Sequence, residues 1–201
     1  MKRLKVFGLI AAAAMCAIAI GSATATATTL ENGTSPYAHP QSIEATLVGT
    51  TRLTDTGGNL LNTCTFGQIK GPVTQTGSST TTVRTTVAFS DFTSLGCTRT
   101  THTLQGGELE IHHIAGTSDG TVTGTTFEVT VEIFGVSCTY GLSTTDTMVH
   151  LATLKGDNHK PLLEINKTMV KRAGSFLCPS TVILEATYQV TSPTGLTVTA
   201  G

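Results

Sequence analysis

Polar and apolar residues alternate along most of this chain, and the longest alternation lies between Glu108 and Tyr140. In its first arm Leu109, Ile111 and His113 fall on one face and Glu108, Glu110 and His112 on the other. In its second arm Phe127, Val129, Val131 and Ile133 alternate with Glu128, Thr130 and Glu132. A period of two is that of a half-buried β-strand. Ser118-Asp119-Gly120 tolerates a tight reversal, so the spacing predicts that the two arms pair as an antiparallel hairpin. Its inward face, Leu109, Ile111, Phe127, Val129, Val131 and Ile133, is predicted to form the middle of the core.

The same pattern predicts a first strand from Ile43 that runs on to Leu53, and further strands at Val83 to Phe89, Thr98 to Leu104 and Met148 to Leu154. Others follow at Leu162 to Val170, Val182 to Thr191 and Leu196 to Thr199. Gly156-Asp157-Asn158 and Pro193-Thr194-Gly195 supply turns, and Phe92 and Leu95 are placed in a turn that delivers Cys97. Residues 28–42 have no periodicity and carry two prolines, which predicts a flexible leader. Asp55 to Thr82 is rich in Gly, Thr and Ser and is predicted as a loop region with one short strand near Cys64 to Ile69. About eight to ten strands at such spacings imply an all-β fold, an antiparallel β-sandwich or barrel. With no internal repeat and no composition break, residues 43–201 read as a single β-domain.

Composition adds a location. Lys2, Arg3 and Lys5 precede an apolar run from Val6 to Gly21 and small residues that end at Ala25 or Ala27, so residues 1–27 read as a cleaved signal peptide. No later stretch is long and apolar enough for a spanning helix, so the exported chain is expected outside the cell or at its envelope. Loss of those three cations takes the formal net charge from −1 to about −4, a field that attracts neither nucleic acid nor an anionic membrane.

Cys64, Cys97, Cys138 and Cys178 remain after export, and an even count beyond the membrane predicts two disulfides. Of three pairings, Cys64 with Cys97 and Cys138 with Cys178 is favoured because each bridge closes a sequence-local unit. No Cys-x-x-Cys pair is present, which argues against a zinc knuckle or a thioredoxin-like site.

Three pieces of the C-terminal half carry a resemblance: Ser137-Cys138-Thr139-Tyr140-Gly141, Phe176-Leu177-Cys178-Pro179, and Ala186-Thr187-Tyr188-Gln189-Val190-Thr191-Ser192-Pro193. Together they resemble a family of small secreted, four-cysteine β-proteins from high-G+C Gram-positive bacteria. The resemblance implies a fold class and a location, and no activity. The chain departs from the family pattern at Leu184, where an aromatic is common, and over Gly195 to Val198.

The outward face of the predicted hairpin is the first candidate for chemistry. If its inward sets oppose one another, Glu108 comes near Glu132, Glu110 near Thr130 and His112 near Glu128. Glu108, Glu110, His112, Glu128 and Glu132 would then form a ligand set for Zn²⁺ or Ca²⁺, to be weighed against an ordinary solvated sheet face. Glu108 and Glu132 are the corresponding candidates for a carboxylate pair in a hydrolase. His113 reads as a buried, hydrogen-bonded or edge histidine, and Lys167, Lys171 and Arg172 as a solvated strand end. No nucleophile elbow or phosphate-binding glycine motif occurs, Trp is absent, and no catalytic residue or cofactor is expected. The leading expectation is an exported non-catalytic β-domain that binds an envelope component, a small ligand or a protein. The alternatives are an apolar-ligand (lipid) carrier with an internal cavity, and a metal- or carboxylate-dependent hydrolase.

Overall fold

Alternating β-branched residues leave no apolar stripe at helical spacing, and the computed structural model is built from strands, with no helix among the described residues. It describes residues 28–37, 41–77, 83–86, 96–104, 108–124, 127–142 and 149–200, with side chains except at 83–86, 103, 104, 108 and 149. In chain order the strands are β1 (Thr28–Asn32), β2 (Ser35–Pro36), β3 (Ser42–Leu47), β4 (Thr51–Asp55), β5 (Leu60–Cys64), β6 (Gln68–Gln75), β7 (Val83–Thr86) and β8 (Thr101–Leu104). There follow β9 (Glu108–His113), β10 (Gly120–Gly124), β11 (Glu128–Ile133), β12 (Val136–Gly141), β13 (Val149–Lys155), β14 (Leu162–Ala173), β15 (Thr181–Ser192) and β16 (Thr197–Ala200).

The long strands β14 and β15 pair from Leu162 with Gln189 to Val170 with Thr181, and this ribbon is the spine of the molecule. Each outer edge of the spine is shared by two strands. Along β15, β4 takes Val182 to Glu185 and β3 takes Tyr188 to Ser192. Along β14, β13 takes Leu162 to Ile165 and β12 takes the end from Val170 to Ala173. The curled antiparallel sheet therefore divides on both sides. One branch runs through β3, β6, β7, β9, β10 and β13 and returns to β14, so its pairing closes into a ring with the spine. The other branch, β4 and β5 on one side and β12, β11 and β8 on the other, curls into a trough.

The division begins at Val48–Thr50. The predicted strand from Ile43 to Leu53 does follow one edge of β15, but Gly49 has φ +77° and bends it. The Val48 N–H still donates to Thr187 O at 2.8 Å, which keeps the run on that edge while its two halves face different branches.

The trough is closed by the Cys64–Cys97 disulfide, and Cys138–Cys178 ties the β14–β15 loop to β12, so both favoured pairings are present. Beside the first bridge the buried Asn62 accepts from Thr98 Oγ1 (2.9 Å) and from the Arg99 N–H (3.0 Å), and donates to Thr101 Oγ1 (2.6 Å). One amide side chain thus laces β5 to the segment that enters β8.

Four sequence expectations need correction. β9 pairs with β10, from His113 opposite Gly120 to Leu109 opposite Gly124, and not with the arm beginning at Phe127. The glycines that make 120–124 look like a turn face a crowded interior, where a Cβ on Gly120 would lie 2.8 Å from Ile111 Cγ2 and one on Gly124 3.0 Å from Leu109 Cδ2. β11 pairs instead with β12, through the Phe134-Gly135 turn, and with β8. Third, the predicted 55–82 loop holds two full strands, β5 and β6, although Gly71 and Pro72 lie within the second. Last, residues 28–37 are not a flexible leader, because β1 pairs with β16 along its length and with β2, and Thr28, Leu30 and Tyr37 are buried. The six inward residues expected at the middle of the core are all buried, although they belong to two hairpins. The expected positions Val87, Phe89, Phe92, Leu95 and Met148 lie outside the described residues.

Candidate functional site

The β9–β10 pairing decides the fate of the proposed ligand set. Glu110 stands opposite Thr123, His112 opposite Thr121, and Glu108 opposite Thr86 of β7. Glu128 and Glu132 belong to β11, opposite Gly141 and Ser137. Glu110 and His112 share a face, with Oε2 and Nε2 3.7 Å apart, and Thr123 Oγ1 lies 3.4 Å from the same nitrogen. The register that would set Glu108 against Glu132 and His112 against Glu128 does not exist. Among the described residues no three His, Cys, Asp or Glu side chains are grouped to hold a metal ion. Glu108 and Glu132 likewise lose the shared hairpin that a facing carboxylate pair required.

His113 is a structural residue. Its ring Nε2 lies 2.8 Å from Thr117 O, and its backbone N–H donates to Thr28 Oγ1 at 2.8 Å, fastening β1 to β9. Lys171 is not solvated freely either, since its ammonium donates to Ser175 O (3.1 Å) and Cys178 O (3.3 Å). Arg172 donates to Leu142 O.

Two apolar cavities lie in the interior, one within the trough and one within the ring. One is lined by residues such as Leu53, Val129, Val131 and Tyr188, the other by Ala45, Ile111, Val122 and Leu196, and each has a volume of about 40 Å³. Pockets that enclose small organic ligands run from about 300 to 1,000 Å³. Each cavity is an order of magnitude short of housing a lipid tail. A polar cleft of about 290 Å³ opens outside the bend, lined by Glu164, Asn166, Glu185 and Thr187 with Val48 and Thr50. It is shallow and wet, and its acidic residues have no basic side chain among its walls.

The surface holds the stronger feature. Six large hydrophobic side chains are exposed among the described residues, and four of them stand on turns and strand ends at the same end of the trough: Leu60 (52 %), Phe134 (71 %), Phe176 (91 %) and Leu177 (48 %). The connections that bring them there are explicit. Phe134 is at the tip of β11–β12, and Phe176 and Leu177 are in the β14–β15 loop, which Cys138–Cys178 holds against β12. The Arg99 guanidinium lies 5.6 Å from the Phe134 ring centre while its Nε donates to Leu61 O at 2.7 Å, so the start of β5 adjoins the same tip.

Both tips are built stiffly. The two-residue turn Phe134-Gly135 has φ of +52° and +77°, a conformation that Asn or Gly adopts readily and a phenylalanine does not. The 174–180 loop is held by the Lys171 ammonium, by the Lys171 N–H to Ser180 O (2.9 Å), by the Cys178 N–H to Ser175 O (3.1 Å) and by the Leu177 N–H to Ser175 Oγ (3.1 Å). Gly174, at φ +122°, lets this loop pack so closely that a Cβ there would lie 2.6 Å from Cys178 Sγ.

Sequence reasoning did not single out these residues. The usable signal was Phe176-Leu177, an apolar pair in a glycine- and proline-bounded turn beside a disulfide cysteine, where water-facing turns carry polar residues.

Comparison of the chain with protein-family models, with curated proteins and with solved structures finds no match. No helix among the described residues is long and apolar enough to cross a membrane.

Proposed function

We propose that this is an exported, non-catalytic β-domain that acts by docking through the apolar end formed by Leu60, Phe134, Phe176 and Leu177, in keeping with the expected extracellular or envelope location. The observation that carries the reading is the exposure of two phenylalanines and two leucines on hairpin ends that the fold holds rigid. Exposed apolar groups clustered on one patch mark interaction sites, whereas scattered ones carry no such meaning. A non-glycine residue kept in the left-handed region, with its aromatic ring in water, is the kind of local strain that accompanies function.

The reading is tested with envelope preparations of the producing cells. Secreted wild-type protein should sediment with them, and the double variant Phe134→Asn, Phe176→Ser should remain in the supernatant. Equal sedimentation of the two proteins would remove this end as the binding surface. The two apolar cavities are too small for the carrier alternative, and the hydrolase alternative loses the hairpin that was to bring Glu108 and Glu132 together.

A further inference from the structure

We infer that the Cys64–Cys97 bridge is a thiol-exchange site: a small external thiol attacks Cys97 Sγ in the folded protein, takes Cys97 into a mixed disulfide and releases Cys64 as a thiolate. Cys138–Cys178 is the permanent bridge. This chemistry is independent of the docking surface and follows from how differently the fold houses its two pairs of sulfurs.

Access differs first. Cys138 and Cys178 are both buried, and the loop around them is so tight that a Cβ on Gly174 would lie 2.6 Å from Cys178 Sγ. A thiol reaches them only when that loop opens. Cys64 is buried too, but Cys97 is part-exposed and lies between the exposed Gly96 and Thr98. Exchange depends on which sulfur of a disulfide can be approached. Here the approach is to Cys97, so Cys64 is the sulfur that leaves.

The surroundings of the leaving sulfur differ next. A disulfide sulfur has no hydrogen to donate, and once the bond breaks it must be held as an anion. Val136 O lies 3.8 Å from Cys138 Sγ, and Ser137 O lies 3.7 Å from Cys178 Sγ. Carbonyl oxygens beside a new thiolate oppose its charge. Beside Cys64 Sγ stands an amide donor instead, Asn62 Nδ2 at 3.9 Å. The orientation of that amide is fixed, because Asn62 Oδ1 accepts the Arg99 N–H and the Thr98 hydroxyl. Its NH₂ group therefore faces Thr101 Oγ1 and the sulfur, with one hydrogen for each. A hydrogen bond to the charged form favours it and opposes the cost of burying the charge.

The fold also holds its shape when the bridge is cut. Cys64 and Cys97 face each other across an antiparallel bridge flanked by the Thr98 N–H to Thr63 O (2.8 Å) and the Thr65 N–H to Gly96 O (3.2 Å). Those bonds, the Asn62 amide and the Arg99 Nε on Leu61 O keep the segment on β5 after the sulfurs separate. The step balances with the thiol alone. Its thiolate sulfur bonds to Cys97 Sγ, the Cys97–Cys64 bond breaks, and the electron pair of that bond goes to Cys64 Sγ; the external sulfur is oxidised and the Cys64 sulfur reduced. Return attack by Cys64 on Cys97 expels the thiol and restores the bridge. The trough thus has one covalent closure that opens and resets.

The test uses the folded, secreted protein with excess glutathione as the probe, sampled before a second thiol can follow the first. Samples are quenched with acid, alkylated after denaturation and mapped by mass spectrometry. The wild type should carry glutathione on Cys97 and the alkyl group on Cys64, with Cys138–Cys178 intact and at least tenfold slower to react. Asn62→Leu separates exchange in the folded state from exchange through unfolding. Loss of the amide donor should slow the reaction severalfold, whereas a route through unfolding would run faster in this less stable variant. The position of the adduct is read on the wild type and stands whether or not the variant folds.

Glutathione on Cys64, equal rates at the two bridges, no adduct on the folded wild type, or faster exchange in folded Asn62→Leu would each overturn the inference.

Discussion

Tyr140 lies on β12, fully buried, and its hydroxyl has no hydrogen-bond partner among the described residues. A buried hydroxyl without a partner carries a desolvation cost of about 1 to 3 kcal/mol. Tyr140→Phe removes that oxygen and leaves the ring in place. The dispersion lost with one atom is small, about 0.5 kcal/mol for a few contacts of 0.1 to 0.2 each. The variant should therefore be more stable by about 1 to 2 kcal/mol. In a chain of this size each kcal/mol moves the melting temperature by about 2 to 4 °C, so the transition should rise by about 2 to 8 °C. Urea unfolding should show a higher midpoint at an unchanged slope.

Alkaline pH gives a second reading of the same residue. Burial pushes the Tyr140 phenol up to about 12, above the unfolded value of 10. A group whose folded pKa is raised contributes in full below the unfolded pKa, and the contribution is lost as pH rises through the folded value. Wild-type stability should fall between pH 10 and 12, and the phenylalanine variant should fall less. Tyr188, raised further by its burial, adds to the decline in both proteins. A variant that is less stable than wild type at pH 7, with a parallel alkaline limb, would refute the reasoning and show that the hydroxyl is bonded, for example to a water.

Asn62→Leu keeps the branched shape but leaves the Arg99 N–H and the Thr98 and Thr101 hydroxyls without their amide, and should cost about 2 to 4 kcal/mol in urea unfolding while both disulfides still form. Gly156→Ala would place a Cβ 1.9 Å from Ser118 O, so the β13–β14 turn must shift; a loss of about 3 kcal/mol is expected by thermal unfolding. Asp157 accepts the His159 and Lys160 N–H groups at 2.7 Å each, the Lys160 bond contributing most, and these hold its carboxyl below the usual range. Its depressed pKa means that its contribution is present above the unfolded value near 4 and is lost as pH falls through the folded one. The gap in urea midpoint between pH 7 and pH 3 should accordingly narrow in Asp157→Ala.

The candidate site shows how legibility depends on what a residue type ordinarily means. Glutamate and histidine at alternate positions of a strand draw notice because those side chains bind metals, yet alternation fixes only which face they share. Which strand lies alongside is settled by the fit of Gly120 and Gly124 beneath Ile111 and Leu109, and that fit separates β9 from β11. Phe134 and Phe176, by contrast, carry no chemistry-bearing group and drew no functional reading from the sequence. Their exposure follows from a two-residue turn whose φ angles are positive and from a disulfide that pins the neighbouring loop.

By itself the sequence determined the period of the strands, the residues that go inward along most of them, the all-β antiparallel class and the presence of two disulfides, because each of these depends on local alternation or on the cysteine count; it favoured one of three disulfide pairings, and the structure decided for that one. The tertiary structure alone decided that β3 and β4 share one edge of β15 while serving two branches, that β1 is a paired strand, and that four hydrophobic side chains collect at one end. Those outcomes depend on which strands become neighbours across long stretches of the chain, as when Thr28 meets His113 and Ala200. Interior packing and backbone hydrogen bonding choose such neighbours, and neither leaves a periodic trace in the chain.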